Sequence, residues 1–351
     1  MTVTAAANDV TMVEPPFDAR WLDVANHPFA SLFSSSPWIE AVAQSFGLNI
    51  AAVAWLDHGR IAAALPFCHV TDFRGQRVIC LPFSDYCDPL VDDAQIWRQV
   101  VAPLFDFGAP VRLRCLRNTL PVEDACFDVV GEAIWHGIDL ARSEDELWAG
   151  LAGSARQNVR KALRHGVVVR ASRRIEDVHL FHRMHCHVRK TKYRLLAQPR
   201  AFFDNLHAAF ACDNRLLVLL AEIEGDPIAG ILFIEWGDTL YYKFNASFER
   251  HLRPNDLLVW EGMRFGRQRG LLRFDFGLSD AAQPGLVRYK RKFASEQRPI
   301  WLLEWRPQGY ANPSGEIAGR TLQRVTRLLT DPTVPDEVTR AAGDDLYRFF
   351  C

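Results

Sequence analysis

Three arginines, Arg156, Arg160 and Arg164, recur every four residues in SARQNVRKALRHG, so a helix here gathers them into one cationic stripe flanked by Lys161. Such a stripe can hold a phosphorylated donor or acceptor, or it can be a solvated face opposite the apolar Ala155, Val159, Ala162 and Leu163. Further on, RFDFG sets Asp275 between Phe274 and Phe276. Strand alternation turns that carboxylate away from the phenyl face, where it can take a proton from an amine or pair with an arginine. Tyr242, in TLYYKFNAS, is a candidate general acid, with packing as its plainer role. Asn245 and Glu261 are candidates for orienting an acceptor.

Two other groupings suggest chemistry that their context does not support. Gly277-Leu278-Ser279 approaches the Gly-x-Ser-x-Gly turn of hydrolases, yet Ala281 stands where the second glycine belongs. His179, His182, His185 and His187 with Cys186 suggest metal ligands, but they fall on one amphipathic helical segment without His-Glu-x-x-His spacing. No metal is expected. No Gly-x-x-x-x-Gly-Lys-Ser/Thr loop occurs either, which counts against an NTPase. The eight cysteines are dispersed without a Cys-x-x-Cys pair and read as reduced, mostly buried thiols.

The elements that must position these residues can be read from pattern. LDHGRIAAALPF from Leu56 aligns with IEGDPIAGILFI from Ile223, and each reads as a hairpin with a Gly-containing turn. Each is later followed by a helix and a short strand: Asp93 to Phe107 then VRLRCL, and Pro254 to Gly270 then RFDFG. The chain therefore reads as a diverged duplication of one α/β unit. A linker is expected around Gly137 to Arg142, before a helix capped by Ser143 and Glu146. The second unit reads as strand 167–172, helices 175–192 and 200–211, strands 216–224, 228–236 and 239–247, then helix and strand. WLLEW from Trp301 closes its sheet. Expected boundaries are 1–140, 141–306, and a tail 307–351 with a helix near 317–329.

Composition sets the outer limits. The 351 residues are 49% hydrophobic and 24% charged, as in a folded globular chain, and suit two cores rather than one. With 41 Lys+Arg against 42 Asp+Glu the net charge is -1, so no global field attracts nucleic acid or anionic lipid. Any polyanion must meet a local patch, and all six lysines lie at residue 161 or beyond. No apolar stretch approaches ~20 residues and the start lacks a signal-peptide pattern, so a cytoplasmic location is expected.

The element order, one strand, two helices, three antiparallel strands, helix and strand, resembles the GNAT acyltransferase fold, and its tandem occurrence resembles the FemAB-like branch. SARQNVRKA, TLYYKFNAS, PNDLLVWEG and FDFGLSD...GLVRYKRKF carry this resemblance across roughly residues 30 to 306. It implies an α+β fold of tandem GNAT-like units, each a mixed, mostly antiparallel sheet flanked by helices. It also implies direct attack of an acceptor amine on an acyl donor, without a covalent enzyme intermediate. Lys290 aligns with a lysine of Fem-type ligases that meets precursor phosphates, so the resemblance implies an anion-binding role. The family's CoA loop, R/Q-x-x-G-x-G/A, reads here Arg250-His251-Leu252-Arg253-Pro254-Asn255, with Arg253 and Asn255 at the glycine positions.

The leading expectation is an N-acyltransferase that moves an acyl group from CoA or acyl-carrier protein to an amine in cell-envelope or exopolysaccharide metabolism. Alternatives are an aminoacyl-tRNA-dependent peptidoglycan ligase and a non-catalytic envelope-assembly scaffold. Asp275 and Tyr242 are expected to face one cavity, with Arg156, Arg160 and Lys290 forming one anion-binding wall.

Overall fold

The structure is a computed structural model that describes residues 9–351. Two compact units emerge. Unit 1 takes the residues up to Ala133, Pro299–Leu322 and Cys351; unit 2 takes Ile134–Arg298 and Gln323–Phe350.

The first stretch of chain forms β1 (Asp9–Val13), α1 (Ser36–Phe46), β2 (Ile50–Asp57), β3 (Arg60–Asp72), β4 (Gly75–Ile79), α2 (Ala94–Phe105), β5 (Val111–Cys115), α3 (Leu120–Glu123) and β6 (Asp128–Asp139). The second forms α4 (Glu144–Gly150), α5 (Gly153–Arg164), β7 (Val168–Ser172), α6 (Ile175–Val188), α7 (Arg200–Phe210), β8 (Leu216–Ile223), β9 (Asp226–Trp236), β10 (Thr239–Ser247), α8 (Pro254–Gln268), β11 (Arg273–Asp280) and α9 (Pro284–Arg291). β12 (Glu296–Trp305), α10 (Pro313–Leu329) and α11 (Asp336–Leu346) complete the chain.

Unit 1 orders its strands β1-β2-β3-β4-β5-β12, and unit 2 orders its own β7-β8-β9-β10-β11-β6. In each, an antiparallel run is followed by a helix and a parallel strand: β4 pairs with β5, and β10 with β11. The hairpins match in detail. Asp57 pairs with Arg60 and Ile223 with Asp226, and each ladder shifts register just before its turn. Both turns have two positive-φ residues, His58-Gly59 and Glu224-Gly225, the twist that suits a two-residue hairpin loop.

The core of unit 2 explains its helices. α5 and α8 lay Ala155, Val159, Ala162, Leu258 and Met263 on one sheet face, against Leu217, Ile231, Phe233, Phe274 and Phe276. Leu163, expected on that face, is 56% exposed, because the buried stripe of this short helix is narrow. α6 and α7 cover the opposite face, where their Phe181, Phe202 and Phe203 cluster about Phe244 of β10.

The segment expected as a linker is built into unit 2. Gly137 to Asp139 end β6, and Leu140, 1% exposed, donates its N–H to the Leu272 carbonyl. Alternating Ile138 and Leu140 supply the apolar side chains that hold it there. The capping box of Ser143 and Glu146 then starts α4. α6 ends at Val188 and continues as a wider π turn over Arg189–Tyr193, with Arg194 left-handed at φ 56°.

Candidate active site

The parallel ladder between β10 and β11 is only three pairs long: Thr239 with Arg273, Leu240 with Phe274, and Tyr241 with Asp275. Beyond it each strand is distorted. β10 bulges between Tyr242 and Phe244, and β11 turns at Gly277, whose φ of 64° only glycine adopts freely. The two strands thus stop pairing at the same level.

The register places Asp275 and Tyr242 on opposite faces. Asp275 shares a face with its partner Tyr241, whereas the Tyr242 ring packs on Phe274 and Phe276 at 6.5 and 5.5 Å. They do not meet in one cavity, because the β10 bulge falls after Tyr242 and leaves the alternation intact up to it. Asp275 is 3% exposed, and its Oδ1 accepts the Gly277 N–H at 2.5 Å, which braces the turn in β11. Tyr242 bonds to the Asn245 side chain, and burial pushes its hydroxyl well above the ordinary tyrosine range.

The expected anion-binding wall is not displayed. Arg156 is engaged with the carbonyls of Trp148, Ala149 and Leu151, closing the end of α4. Arg160 lies over the Trp148 ring at 5.4 Å, and Lys161 is half-buried on the same helix. Lys290 is 4% exposed, and its ammonium donates to the carbonyls of Phe276, Gly277 and Leu278 at 2.6, 3.4 and 3.0 Å. A buried ammonium must be satisfied, and the kinked strand supplies the acceptors. Glu261 is engaged with Arg264, which also reaches Glu144.

A different set of residues gathers at the start of α8. Arg253 caps that helix at φ 62°, the conformation a glycine would adopt, and offers no side-chain cap. The loop therefore keeps a glycine-like backbone without glycine. Asp256, 4% exposed in the first turn, accepts from Lys292 at 2.5 Å and from Asn158 at 3.0 Å, tying α5, α8 and the end of α9 together. Ala152 also donates its N–H to the Lys292 carbonyl. The Lys292 ammonium lies 4.6 Å from the Tyr289 ring centre. The Tyr289 hydroxyl and Asn255 Oδ1 are buried without a hydrogen-bond partner. Burial, then the nearby Asp256 and Tyr242, keep the Tyr289 hydroxyl protonated far above neutral pH. Sequence reasoning missed Tyr289, Asp256, Asn158 and Lys292; the run GLVRYKRKF contains two of them, but only packing separates Lys290 from Lys292 in role.

The two sets set aside on sequence grounds are also placed. Ser279 lies fully buried inside β11, not on a strand-to-helix turn. His182 and His185 bond to the Gln198 carbonyl and side chain, and His179 to Asp204 at 2.6 Å. His179, His182, Cys186 and His187 line a cavity of about 550 Å³ closed by Asp336 and Arg340 of α11. Among the described residues no three His, Cys, Asp or Glu side chains stand together as metal ligands, and no helix is long and apolar enough to cross a membrane.

Residues 152–291 match the family model described as an acetyltransferase (GNAT) domain. The fold is similar to the crystal structure of FemX, at 14% identity and TM-score 0.68 over 90% of this chain and all of that one. It is also similar to L-PGS from Bacillus licheniformis, at 14% identity and TM-score 0.55 over 89% and 98% of the two chains. A tandem GNAT protein from the clavulanic acid biosynthesis pathway is similar at 10% identity and TM-score 0.54, over 86% of this chain and all of that one. No curated protein sequence matches the chain.

Unit 2 therefore carries a GNAT acyltransferase domain, and the protein is an acyltransferase. Its α+β fold is shared with FemX and with the tandem GNAT protein.

Proposed function

We propose that unit 2 transfers an activated acyl group to an amine acceptor across the opening between β10 and β11. The three-pair ladder carries this reading, since the bulge on one strand and the Gly277 turn on the other leave a gap backed by the uncapped start of α8. The acceptor nitrogen attacks the acyl carbonyl carbon, the bond to the carrier's sulfur or oxygen breaks, and the amine's proton passes to the departing atom. Holding both partners in one place supplies most of the acceleration. Tyr289 relays that proton, giving its own to the departing atom and taking the amine's in its place, because its buried hydroxyl has no partner in the protein and remains protonated. Asp275 acts on the shape of the opening through Gly277 rather than as the base. Asn255 and Arg253 face the donor at the α8 start, and Asn245 orients Tyr242.

The donor is acyl-CoA or an acyl-carrier thioester, and the acceptor is an amine in envelope or exopolysaccharide metabolism. A second reading, an aminoacyl-tRNA-dependent peptidoglycan ligase, is favoured by the likeness to FemX along the whole of that chain and by the non-glycine residues of the α8 loop. Thermal shifts and filter binding with acyl-CoA, acyl-carrier protein and aminoacyl-tRNA decide between them. Stabilisation by aminoacyl-tRNA alone supports the ligase, and stabilisation by thioesters alone supports the first reading. Silence from every donor removes both readings of the donor.

A further inference from the structure

A second cavity, about 420 Å³ in volume, lies wholly in unit 1 between the β3–β4 turn, β5, the end of β12 and the start of α10. Four arginines line it: Arg74, Arg77, Arg112 and Arg306. Only two buried carboxylates answer them. Asp72, with a side chain 6% exposed, accepts from Arg77 at 2.7 and 3.1 Å and from Arg74 at 3.4 Å. Glu304, equally buried, is shared by Arg112 at 2.9 Å and by Arg306. Each carboxylate is shared by two guanidiniums, with further negative charge from Glu316 and Asp128 near Arg306 and from Cys351 near Arg74 and Arg77, so the cavity wall is crowded with guanidiniums that share their counter-charges. Glu316 also lines the cavity, but its side chain is 75% exposed and 4.0 Å from Arg320.

Burial makes this crowding consequential, because charges away from water attract a counter-ion more strongly. The Arg77 side chain is 5% exposed and that of Arg74 20%. The Cys351 main-chain oxygen accepts from Arg74 at 2.9 Å and Arg77 at 3.3 Å, yet Arg74 Nε remains buried with no acceptor. Burial, then the adjacent Arg77, lowers the basicity of Arg74. Burial alone would raise Asp72, but the bonds from Arg77 and the Arg74 N–H and the charges of both hold its carboxyl below the usual range. The Arg112 and Arg306 side chains, 48% and 61% exposed, stand nearer solvent.

We propose that this cavity binds a phosphate-bearing small molecule, a phosphomonoester or diphosphate, with Arg74 at its inner end and Arg112 and Arg306 at its mouth. Planar guanidinium forks match phosphate oxygens in pairs, and the buried Arg74 Nε still lacks an acceptor that a phosphate oxygen would supply. The volume leaves room for a group attached to the phosphate, within the ~300 to 1,000 Å³ common for small-molecule sites. The site is separate from the acyl-transfer reading of unit 2 and does not depend on it.

Calorimetric titration of the full chain with inorganic phosphate, pyrophosphate and ADP tests it. Saturable binding is expected, weakened about tenfold or more by Arg306→Gln and by Arg112→Gln, in line with loss of a charged hydrogen bond, and weakened by salt. Arg253→Gln, at the α8 start in unit 2, should leave that binding in place. ADP binding more tightly than pyrophosphate means that the cavity reads the attached group, and equal binding means that it reads the phosphates alone. Phenylglyoxal labelling of the unaltered protein supplies a check independent of any variant: pyrophosphate should shield Arg112 and Arg306. Absence of saturable binding at millimolar ligand, or binding lost only in Arg253→Gln, or no shielding at these arginines, overturns the proposal.

Discussion

Tyr289 shows what a single orphaned hydroxyl implies. A buried O–H without an acceptor raises the energy of the resting protein, and a developing negative charge on a leaving atom relieves it. Tyr289→Phe keeps the ring against Phe293 and should lower kcat about 10- to 100-fold with KM little changed, whereas Tyr242→Phe should cost less because that hydroxyl already bonds to Asn245. Steady-state kinetics with the preferred donor would show the order reversed if Tyr242 were the acid. Asp275→Asn is the companion measurement: a positioning role gives a small loss and an unchanged pH profile, while a base gives a large loss and removes the acidic limb of that profile. Such roles were only partly legible. Sequence alternation correctly turned Asp275 away from Phe274 and Phe276, but could not show that Lys290 would be buried against carbonyls while Lys292 reached Asp256, since adjacent basic residues look alike until packing distinguishes them. Two histidines give a further test. Burial holds His185 at about 3 and His136 at about 4, below the ordinary 6.5. Above pH 6.5 both are neutral whether the chain is folded or not. As pH falls from there toward 3 to 4, only the unfolded chain takes up these protons, so stability should decline by about 1.4 kcal/mol per pH unit for each group. His185→Gln should flatten the dependence of Tm on pH, and an unchanged slope would assign the decline to other groups.

At the scale of elements, α8 approaches its sheet through Gly262 and Gly266. A Cβ at Gly262 would stand 2.7 Å from Phe233 and 3.3 Å from Phe274, and one at Gly266 would stand 2.8 Å from Leu140. Gly262→Ala should therefore destabilise by roughly 1–3 kcal/mol through overpacking, seen as a lower urea midpoint at constant slope. Gly150→Ala, with open space around it, should be near neutral; equal effects would mean that close approach of helix and sheet is not what Gly262 provides. The strands and hairpins that recur with period two and end in Gly turns were readable, as were α5 and its glycine stop at Gly166, φ 76°. The last strand of the 134–140 stretch was not, because its Gly137 and Asp139 look like linker residues unless the apolar Ile138 and Leu140 between and after them are given weight. α9 was missed because Pro284-Gly285 punctuates the sequence like a loop, although proline is well placed in a first helical turn.

At the scale of the molecule, α11 belongs to unit 2, where its Asp336 accepts from the buried Lys190 at 2.5 Å and Gly343 packs close to the Ala197 carbonyl. Asp336→Ala leaves that ammonium with the Val334 carbonyl, and because the Asp336 side chain is 74% exposed the cost should be only about 1–2 kcal/mol, a fall of a few degrees in Tm. High salt should shrink the difference; a change of more than about 4 kcal/mol would mean that α11 detaches altogether. The separation of 146 positions between Lys190 and Asp336 hid this pairing from any reading by local pattern. The path of the chain carries one more consequence, for how the protein is made. Arg112 of β5 bonds to Glu304 of β12, 192 positions further on, and the Trp301–Trp305 segment is what covers that side of β5. At ~5 to 20 residues per second a ribosome needs roughly 10 to 40 s to deliver it. During that interval a nascent unit 1 presents an open strand edge, a template for pairing with other chains. A gene cut after residue 133 would make that interval permanent, so the amino-terminal unit should need its distant strand supplied, in the same chain or as a separate peptide, to remain soluble.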